Sequence, residues 1–491
     1  MGAGPVQEDA MRQVKVRLQL AGTSFAALED DAALAGTPRL TEERRLYFDT
    51  AGGALAAAGA GLCICQRAGR SVQVLELPGS NREWPVPGPW PVLEPGGPLL
   101  ALLGEGARDL GLTGIATLGR REWPVAQGDA TLELALVEGT LGLADRRVAI
   151  RDCEITLTAG PVAELFALAR RLAEAAPLRL SVVTVAQRGR MLAEPVPRSV
   201  KAAEAALTPA MTAAEAFRRI ALSCLTQFRL NEDLVLALRS EEALHQVRVA
   251  LRRLRSAFTV FKPVLGAETG TDLREGLRWL AQELGQARDL DVLVRRAPPG
   301  PLLARLTAER EAAYDTVAHV LGSRRARLLA MDLVEWLDHG DWRADPATRS
   351  LREMPAPEFA GLALSRFRRK VRKDGKDLVS LPDEQRHELR KDAKKLRYAA
   401  DFFAPLFQAK ALRRKRKRFM DALESLQDSL GALNDLAAGP EVLDRLGLLD
   451  LPGAGALVEG GDRAPLLKAA AEAHDRLVGT RRYWPRPGPR D

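Results

Sequence analysis

Residues 244–261 read LHQVRVALRRLRSAFTVF, and residues 387–403 read HELRKDAKKLRYAADFF. Set on His245 and His387, the two segments keep one register. Arg248 falls on Arg390, Arg252 on Lys394 and Arg255 on Arg397. Each cation set lies 3, 7 and 10 residues after its histidine. On an α-helix those positions share an arc about 80° wide. Val247, Leu251, Leu254, Phe258 and Phe261 repeat as Leu389, Ala393, Leu396, Ala400 and Phe403. These project roughly 160° to 240° from the histidine, on a separate face. Each segment is thus predicted to be a helix that buries one face and shows a column of one His and three cations beside it. Arg253 and Lys395 project about 80° away and join the columns less directly. Tyr398 stands at the edge, able to hydrogen-bond an anion or to close the core.

The duplication extends further. Each histidine segment is followed by a related phrase, Leu284-Gly-Gln-Ala-Arg288-Asp289-Leu-Asp291 in one copy and Leu430-Gly-Ala-Leu-Asn434-Asp435-Leu in the other. The shared Asp lies 44 residues after His245 and 48 after His387. Two units about 142 residues apart point to paired helical bundles about a pseudo-two-fold axis. Thr212-Ala-Ala-Glu215 is a capping-box pattern opening a helix to about residue 229. Helices are expected at 240–263, 270–296, 302–322 and 324–339. They are expected again at 357–376, 383–405, 408–436, 440–447 and 464–480. This half is all-α.

Charge divides the chain. Residues 1–200 carry 21 Lys and Arg against 23 Asp and Glu; the remainder carries 51 against 41. The second half is the one that would face a polyanion. Arg366, Arg369, Lys370 and Lys373, and the run 413–418 with Arg413, Arg414 and Lys417, add cations there. Aromatic residues are 5% of the chain, and Phe258, Phe261 and Phe403 fall on apolar faces, which disfavours single-stranded nucleic acid. No run of 18 apolar residues is present, and residues 1–13 lack the pattern of a secretory leader. Cys63, Cys65, Cys153 and Cys224 read as reduced core thiols of a cytoplasmic protein.

The first half reads as short strands and turns. Strands are expected at 14–20, 61–66, 71–77, 131–137 and 148–157, with a hairpin about Ala68-Gly69 and a helix over 161–175. That is an α+β domain, a closed or nearly closed antiparallel barrel. Tyr47-Phe48-Asp49-Thr50, LAAAGAGLCICQR, SVQVLELPG, NREWPVP, Arg120-Arg121, TLELALVEG, IRDCEITLTAG and Gln187-Arg188-Gly189 follow one another over residues 10–195. In that order they resemble the CYTH family, the triphosphate tunnel fold. The resemblance implies a metal-dependent phosphoanhydride hydrolase built on a first strand of pattern E-x-E-x-K. Here that strand reads Gln13-Val-Lys15-Val-Arg17. The family's inward arginine pair reads Cys63 and Cys65, its next lysine Glu76, its last acidic strand Asp152-Cys-Glu154-Ile-Thr156, and its late lysine Val185. No triphosphatase activity is therefore expected, since both first-strand acids are gone. A channel lined by Lys15, Arg17, Arg67, Arg121 and Arg188 that holds an anion uncleaved is the intermediate reading.

HQVRVALRRLRSAF, LGQARDLDVL, HELRKDAKKLRYAADFF and LQDSLGALND resemble the CHAD family, the conserved-histidine α-helical domain. The expected architecture is multidomain: an N-terminal α+β antiparallel β-barrel or tunnel domain (10–195), a linker (196–211) that carries one helical turn, and a C-terminal all-α duplicated helical bundle (212–480, repeats 212–340 and 357–480). The resemblance implies a protein that binds inorganic polyphosphate without a cofactor or catalytic residue. It would lie on cytoplasmic polyphosphate granules beside other granule proteins, away from membranes. An array of cations without stacking rings suits that polymer, since Arg forks grip phosphate oxygens and Lys adds point charge. His245 and His387 would gain protons beside phosphates. Arg288, Asp289, Asn434 and Asp435 would orient the basic side chains. Two other readings follow from the same residues: a metal-dependent inorganic triphosphatase in the first domain, and a nucleic-acid-binding helical protein.

Overall fold

The computed structural model describes residues 14–22, 24–28, 30–77, 80–266, 269–458 and 463–485, with backbone alone at 80, 434–441, 456 and 458. The chain divides into two compact units, Met1–Pro197 with Arg324–Met331, and Arg198–Ser323 with Asp332–Asp491. Gln13 lies outside the described residues.

The first unit is one antiparallel sheet. Its strands are β1 (Lys15–Leu20), β2 (Arg39–Thr50), β3 (Gly61–Arg67), β4 (Arg70–Leu77), β5 (Ser80–Val86), β6 (Leu110–Gln127), β7 (Ala130–Leu143), β8 (Arg146–Ala159) and β9 (Leu178–Leu180), ordered β5-β4-β3-β2-β6-β7-β8-β1-β9. Ala68 and Gly69 both take positive φ, the two-residue turn that matches strand twist between β3 and β4. The hydrogen-bonded ladder does not close; β5 and β9 remain its two edges. It does curl. Glu76 on β4 acts electrostatically on Arg17 on β1, six strand positions away. A flat sheet would part them by about 29 Å. Inside the curl Tyr47, Cys63, Ala116, Leu118, Ala135, Val137 and Ile150 pack on Val185 of helix α2 (Val185–Ala193). Helix α1 (Val162–Ala175) covers the outer face of β1, β7, β8 and β9 through Leu165, Phe166, Leu168 and Leu172.

Strands β2 and β6 are the long elements that alternation did not reveal. The inward residues of β2 include Glu43 and Arg45, so the buried side of that strand is partly charged, and its hydrophobic period is masked. All four cysteines are buried and unbonded. Burial pushes the Cys63 thiol up to about 12 and the Cys224 thiol up to about 11, so both stay protonated at neutral pH.

The second unit is helical: α3 (Ala213–Leu238), α4 (Glu241–Val260), α5 (Thr271–Glu283), α6 (Gly285–Arg296), α7 (Pro301–Gly322), α8 (Arg324–His339, shared with the first unit), α9 (Ala356–Asp374), α10 (Asp383–Phe402), α11 (Lys410–Arg445) and α12 (Arg463–Gly479). The capping box at Thr212 and Glu215 forms as expected. Helix α3 runs past 229; the buried polar residues Gln227, Arg229, Asn231 and Glu232 interrupt its apolar period and hide that continuation in the sequence. The stretch expected as one helix over 270–296 breaks at Leu284, and the two helices expected over 408–447 are one.

The duplication is a two-fold in space. The amide of Ala213 donates to the Met354 carbonyl and that of Ala356 to the Met211 carbonyl, each at 2.8 Å. This is the reciprocal exchange of a self-complementary contact. Phe261 and Phe403, equivalent positions in the two copies, meet each other with ring centroids 5.7 Å apart. Residues 194–212 contain no helix, contrary to the turn expected there. They are held instead along α3. The Val200 amide donates to Asn231 Oδ1 and the Asn231 amide donates back to the Val200 carbonyl, both at 2.8 Å.

No helix among the described residues is long and apolar enough to cross a membrane.

Candidate anion-binding groove

Helices α4 and α10 lie in direct contact, and a groove of about 820 Å³ opens beside them. Helix α4 contributes His245, Arg252 and Arg253, α10 contributes Lys394, Arg397 and Tyr398, and α11 contributes Arg413, Arg416 and Lys417. Residues 202–205 form one wall. Cations of both repeats therefore face one space. Arg252 Nε donates to the Tyr398 hydroxyl at 2.7 Å, bonding one repeat to the other at the groove. Glu204, Asp401 and Asp421 are the acids among the lining residues.

The two histidines differ. His245 is half-buried and lines the groove; burial first, then Arg288, Arg252, Arg248 and Arg295, pushes its imidazole down to about 4. In the unliganded protein it is neutral at pH 7, so the proton expected beside phosphate would be gained on binding. His387 is exposed and does not line the groove.

Arg248 and Arg390 occupy matching seats. Arg248 Nη1 donates to the Ala281 carbonyl at 2.8 Å and lies 3.3 Å from where a Cβ on Gly285 would stand. Arg390 Nη2 lies 3.9 Å from the corresponding point on Gly431. The glycine shared by the two phrases thus leaves room for a column arginine on the neighbouring helix. Arg248 carries a lowered pKa because it is buried and then crowded by Arg252 and Arg288, with Asp289 opposing.

Several expected site residues have other engagements. Arg253 is buried, donates to Gln227 Oε1 at 2.8 Å and lies over the Phe402 ring at 5.5 Å. Lys395 and Lys370 both reach buried Asp392, at 2.9 and 2.8 Å. Arg366 donates to the Val260 carbonyl at 3.0 Å, closing the C-terminus of α4. Arg397 donates to Gln427 Oε1 at 3.1 Å while still lining the groove. Arg255, Lys373 and Arg414 are exposed outside the groove, and Arg369 belongs to another cavity. Arg288 pairs with Asp291 at 3.7 Å. Asp291, which also accepts from Arg310 at 2.9 Å and from Tyr314, is a buried partner outside the expected supporting set. Burial raises the Asp289 pKa, opposed by Arg248, Arg445 and Arg288. The side chains of Asn434 and Asp435 lie outside the described residues.

Residues 219–444 match the family model of the CHAD domain. The chain carries a CHAD domain. The crystal structure of the CHAD domain from the plant Ricinus communis is similar at 27% identity and a TM-score of 0.49, over 58% of this chain and 98% of that one. A Hippeastrum protein named for adenylyl cyclase, and described as having a dominant triphosphatase activity, matches at 20% identity and a TM-score of 0.27, over 37% and 97% of the two chains. A Pyrococcus horikoshii protein matches at 16% identity and a TM-score of 0.23, over 36% and 98%. No curated protein matches at the significance required.

Some parts of the CHAD groove escaped the sequence. Arg416 sits in a run where every residue is cationic, so composition carries no facing information. Only the phase i, i+3, i+4, i+7 of Arg413, Arg416, Lys417 and Met420 singles it out. Gln427, which donates to the Ala393 carbonyl at 2.9 Å, orients Arg397 from α11.

Upstream of the CHAD domain, the lumen of the sheet is a balanced set of charges. Buried Glu154 accepts from Lys15 at 2.7 Å, Arg17 at 2.9 Å and Arg120 at 3.1 Å. Desolvation opposes these cations, which nevertheless hold its carboxyl well below the usual range. Arg188 pairs with Asp152 at 2.9 Å, and Arg45 with Glu43 at 2.7 Å. Arg121 does not line this channel as expected; strand alternation turns Arg120 inward, and Arg121 pairs with half-exposed Glu138 at 3.2 Å. Arg67 is exposed at the end of β3. The cation-lined channel is thus corrected to a lumen of ion pairs. These residues do not fit the divalent ion implied by a triphosphate tunnel, because the acid best placed to ligate it already holds three cations.

Proposed function

We propose that the CHAD domain binds inorganic polyphosphate in the groove between its two repeats, and that the N-terminal domain is not a phosphohydrolase. The observation that carries the first part is the convergence of His245, Arg252, Lys394, Arg397, Arg413, Arg416 and Lys417 on one groove. A phosphate chain presents charge along its whole length and nothing to stack. The groove answers with forks and ammonium groups; of its two lining rings, Phe402 is buried and Tyr398 is engaged by Arg252, while Phe258, Phe261 and Phe403 are buried elsewhere. Cations from three helices give the chain several grips at once, so affinity comes from their sum. The protein would act as a holder of polyphosphate on granules in the cytoplasm, in company with other granule proteins.

The second part rests on the ion pairs of the lumen. Hydrolysis of a phosphoanhydride by this class of site requires a metal to neutralise oxygens and orient water. Lys15 stands on the strand that would supply the acids, and it neutralises Glu154 instead. Incubation with tripolyphosphate and Mg²⁺ or Mn²⁺ should release no phosphate above background. Steady turnover abolished by Glu154→Ala would overturn this part.

The groove is tested by titrating long-chain polyphosphate into the full chain and into the variant R252E/R397E. The variant should lose most of its affinity with unchanged helical circular dichroism. Equal affinity would remove the groove from the function. DNA or RNA that displaces polyphosphate at equal charge concentration would make the site a general polyanion binder, whereas salt dependence alone would not discriminate.

A further inference from the structure

A second basic cavity lies apart from the groove and shares no lining residue with it. It measures about 470 Å³ and is lined by Arg368, Arg369 and Arg372 of α9, by Arg481 and Arg482 beyond α12, and by Ser365, Val478 and Trp484. Among the described residues no carboxylate lines it. Among the described residues Arg369, Arg372, Arg481 and Arg482 are exposed and have no ion-pair partner. Arg368 is the exception, donating to the Val478 carbonyl at 2.9 Å. Its pKa is lowered by burial first and then by the neighbouring guanidinium groups of Arg482 and Arg372.

The arginines are presented rigidly. Tyr483 and Trp484, next in the chain to Arg482, are both buried. They pack against Phe419 with ring centroids 5.7 and 5.2 Å away, and Trp484 Nε1 donates to Ser365 Oγ at 2.9 Å. Arg368 and Arg372 stand one turn apart on α9. Two fixed elements therefore hold their guanidinium groups around one space, a concentration of like charge that costs stability until an anion fills it.

We propose that this cavity binds a compact oligophosphate, as a second anion site separate from the groove. Arginine forks take phosphate oxygens two at a time, and a short phosphate chain packs more charge into such a volume than a carboxylate ligand of the same size. The only ring in the lining among the described residues, Trp484, is buried and already hydrogen-bonded, so no base would stack there. The inference does not depend on the groove's occupant.

The test uses tripolyphosphate as probe, with the full chain in isothermal titration at low salt. The variant R252E/R397E, altered only in the groove, should still bind one tripolyphosphate. Adding R372E and R482E to it should weaken that binding by about tenfold or more, since a hydrogen bond between charged groups is worth roughly that factor. Both arginines are exposed, so Tm should not fall and should hold or rise as the like-charge crowding is relieved; R372Q and R482Q repeat the measurement without charge reversal. Citrate should displace the probe only at much higher concentration. The proposal is overturned if R252E/R397E binds no tripolyphosphate, if the added substitutions leave its affinity intact, or if citrate competes equally. None of these results bears on long-chain binding in the groove, which R252E/R397E tests by itself.

Discussion

Arg252 and Tyr398 come from different repeats, 146 residues apart, and share a hydrogen bond of 2.7 Å. The hydroxyl accepts, leaving the other guanidinium nitrogens of an exposed arginine available to the groove. Tyr398→Phe removes the acceptor and keeps the ring, which stacks on Phe402 at 6.3 Å. Polyphosphate affinity should fall by a factor of about five, the value of one hydrogen bond near 1 kcal/mol, with little change in Tm. Unchanged affinity would show that Arg252 needs no such orientation.

His245 makes binding depend on pH. Its free-state pKa of about 4 must rise when phosphate neutralises the surrounding arginines, so binding takes up a proton. Affinity should therefore strengthen as pH falls from 7 through the bound-state value, and level off below about 4. Calorimetry in buffers of different ionisation enthalpy would detect the proton, and His245→Gln should abolish it. Without ligand the sign reverses for stability. The folded pKa lies below the unfolded value of about 6.5, so folding loses stability as pH drops from there towards 4. His245→Gln should flatten that decline in Tm.

The two glycine seats should respond differently to alanine. A Cβ at Gly285 meets Arg248 Nη1 at 3.3 Å, so the guanidinium must give by a few tenths of an ångström, and Gly285→Ala should gain no stability. At Gly431 the corresponding gap to Arg390 is 3.9 Å, ordinary contact. Gly431→Ala should raise stability by up to about 1 kcal/mol through helix propensity. Neither arginine lines the groove, so binding should change little in both variants. Urea unfolding of the two would decide; equal gains in stability would refute the seat at Gly285.

Glu154 holds three cations of the lumen in place. Glu154→Gln leaves Arg17 and Arg120 in the lumen without their carboxylate, a loss of about 3 kcal/mol expected of a broken buried pair. The unfolding transition of the N-terminal domain should shift to lower urea. Because the folded pKa of Glu154 is depressed, its contribution is complete above the unfolded value of 4.5 and is lost as pH falls through the lower, folded one. A variant as stable as the parent at pH 7 would mean that the cations find other partners.

The columns were legible because duplication repeats their spacing: a pattern of 0, 3, 7 and 10 that occurs twice fixes both the helix and its exposed face. What the spacing could not say was which column residues reach the groove. His387 and Arg255 have the right phase, yet the first is exposed outside the groove and the second lies by Arg278. Position along the helix axis, set by tertiary packing, decides that. In the first domain the lumen carries charge, so β2 hides its alternation, and a count of cations without their partners made the lumen look basic. Residues 202–205 read as a linker by composition; Asn231, which ties down Val200, and Ser223, which donates to the Ala203 carbonyl, hold them against α3 as a wall.

The reciprocal bonds between Met211, Ala213, Met354 and Ala356 and the meeting of Phe261 with Phe403 make the two repeats partners of an internal homodimer. The groove does not inherit that symmetry: His245 lines it and His387 does not, and the three cations of α11 have no counterpart from the first repeat among its described lining residues. The duplication thus supplies the frame, while the two copies have come to do different work at the site.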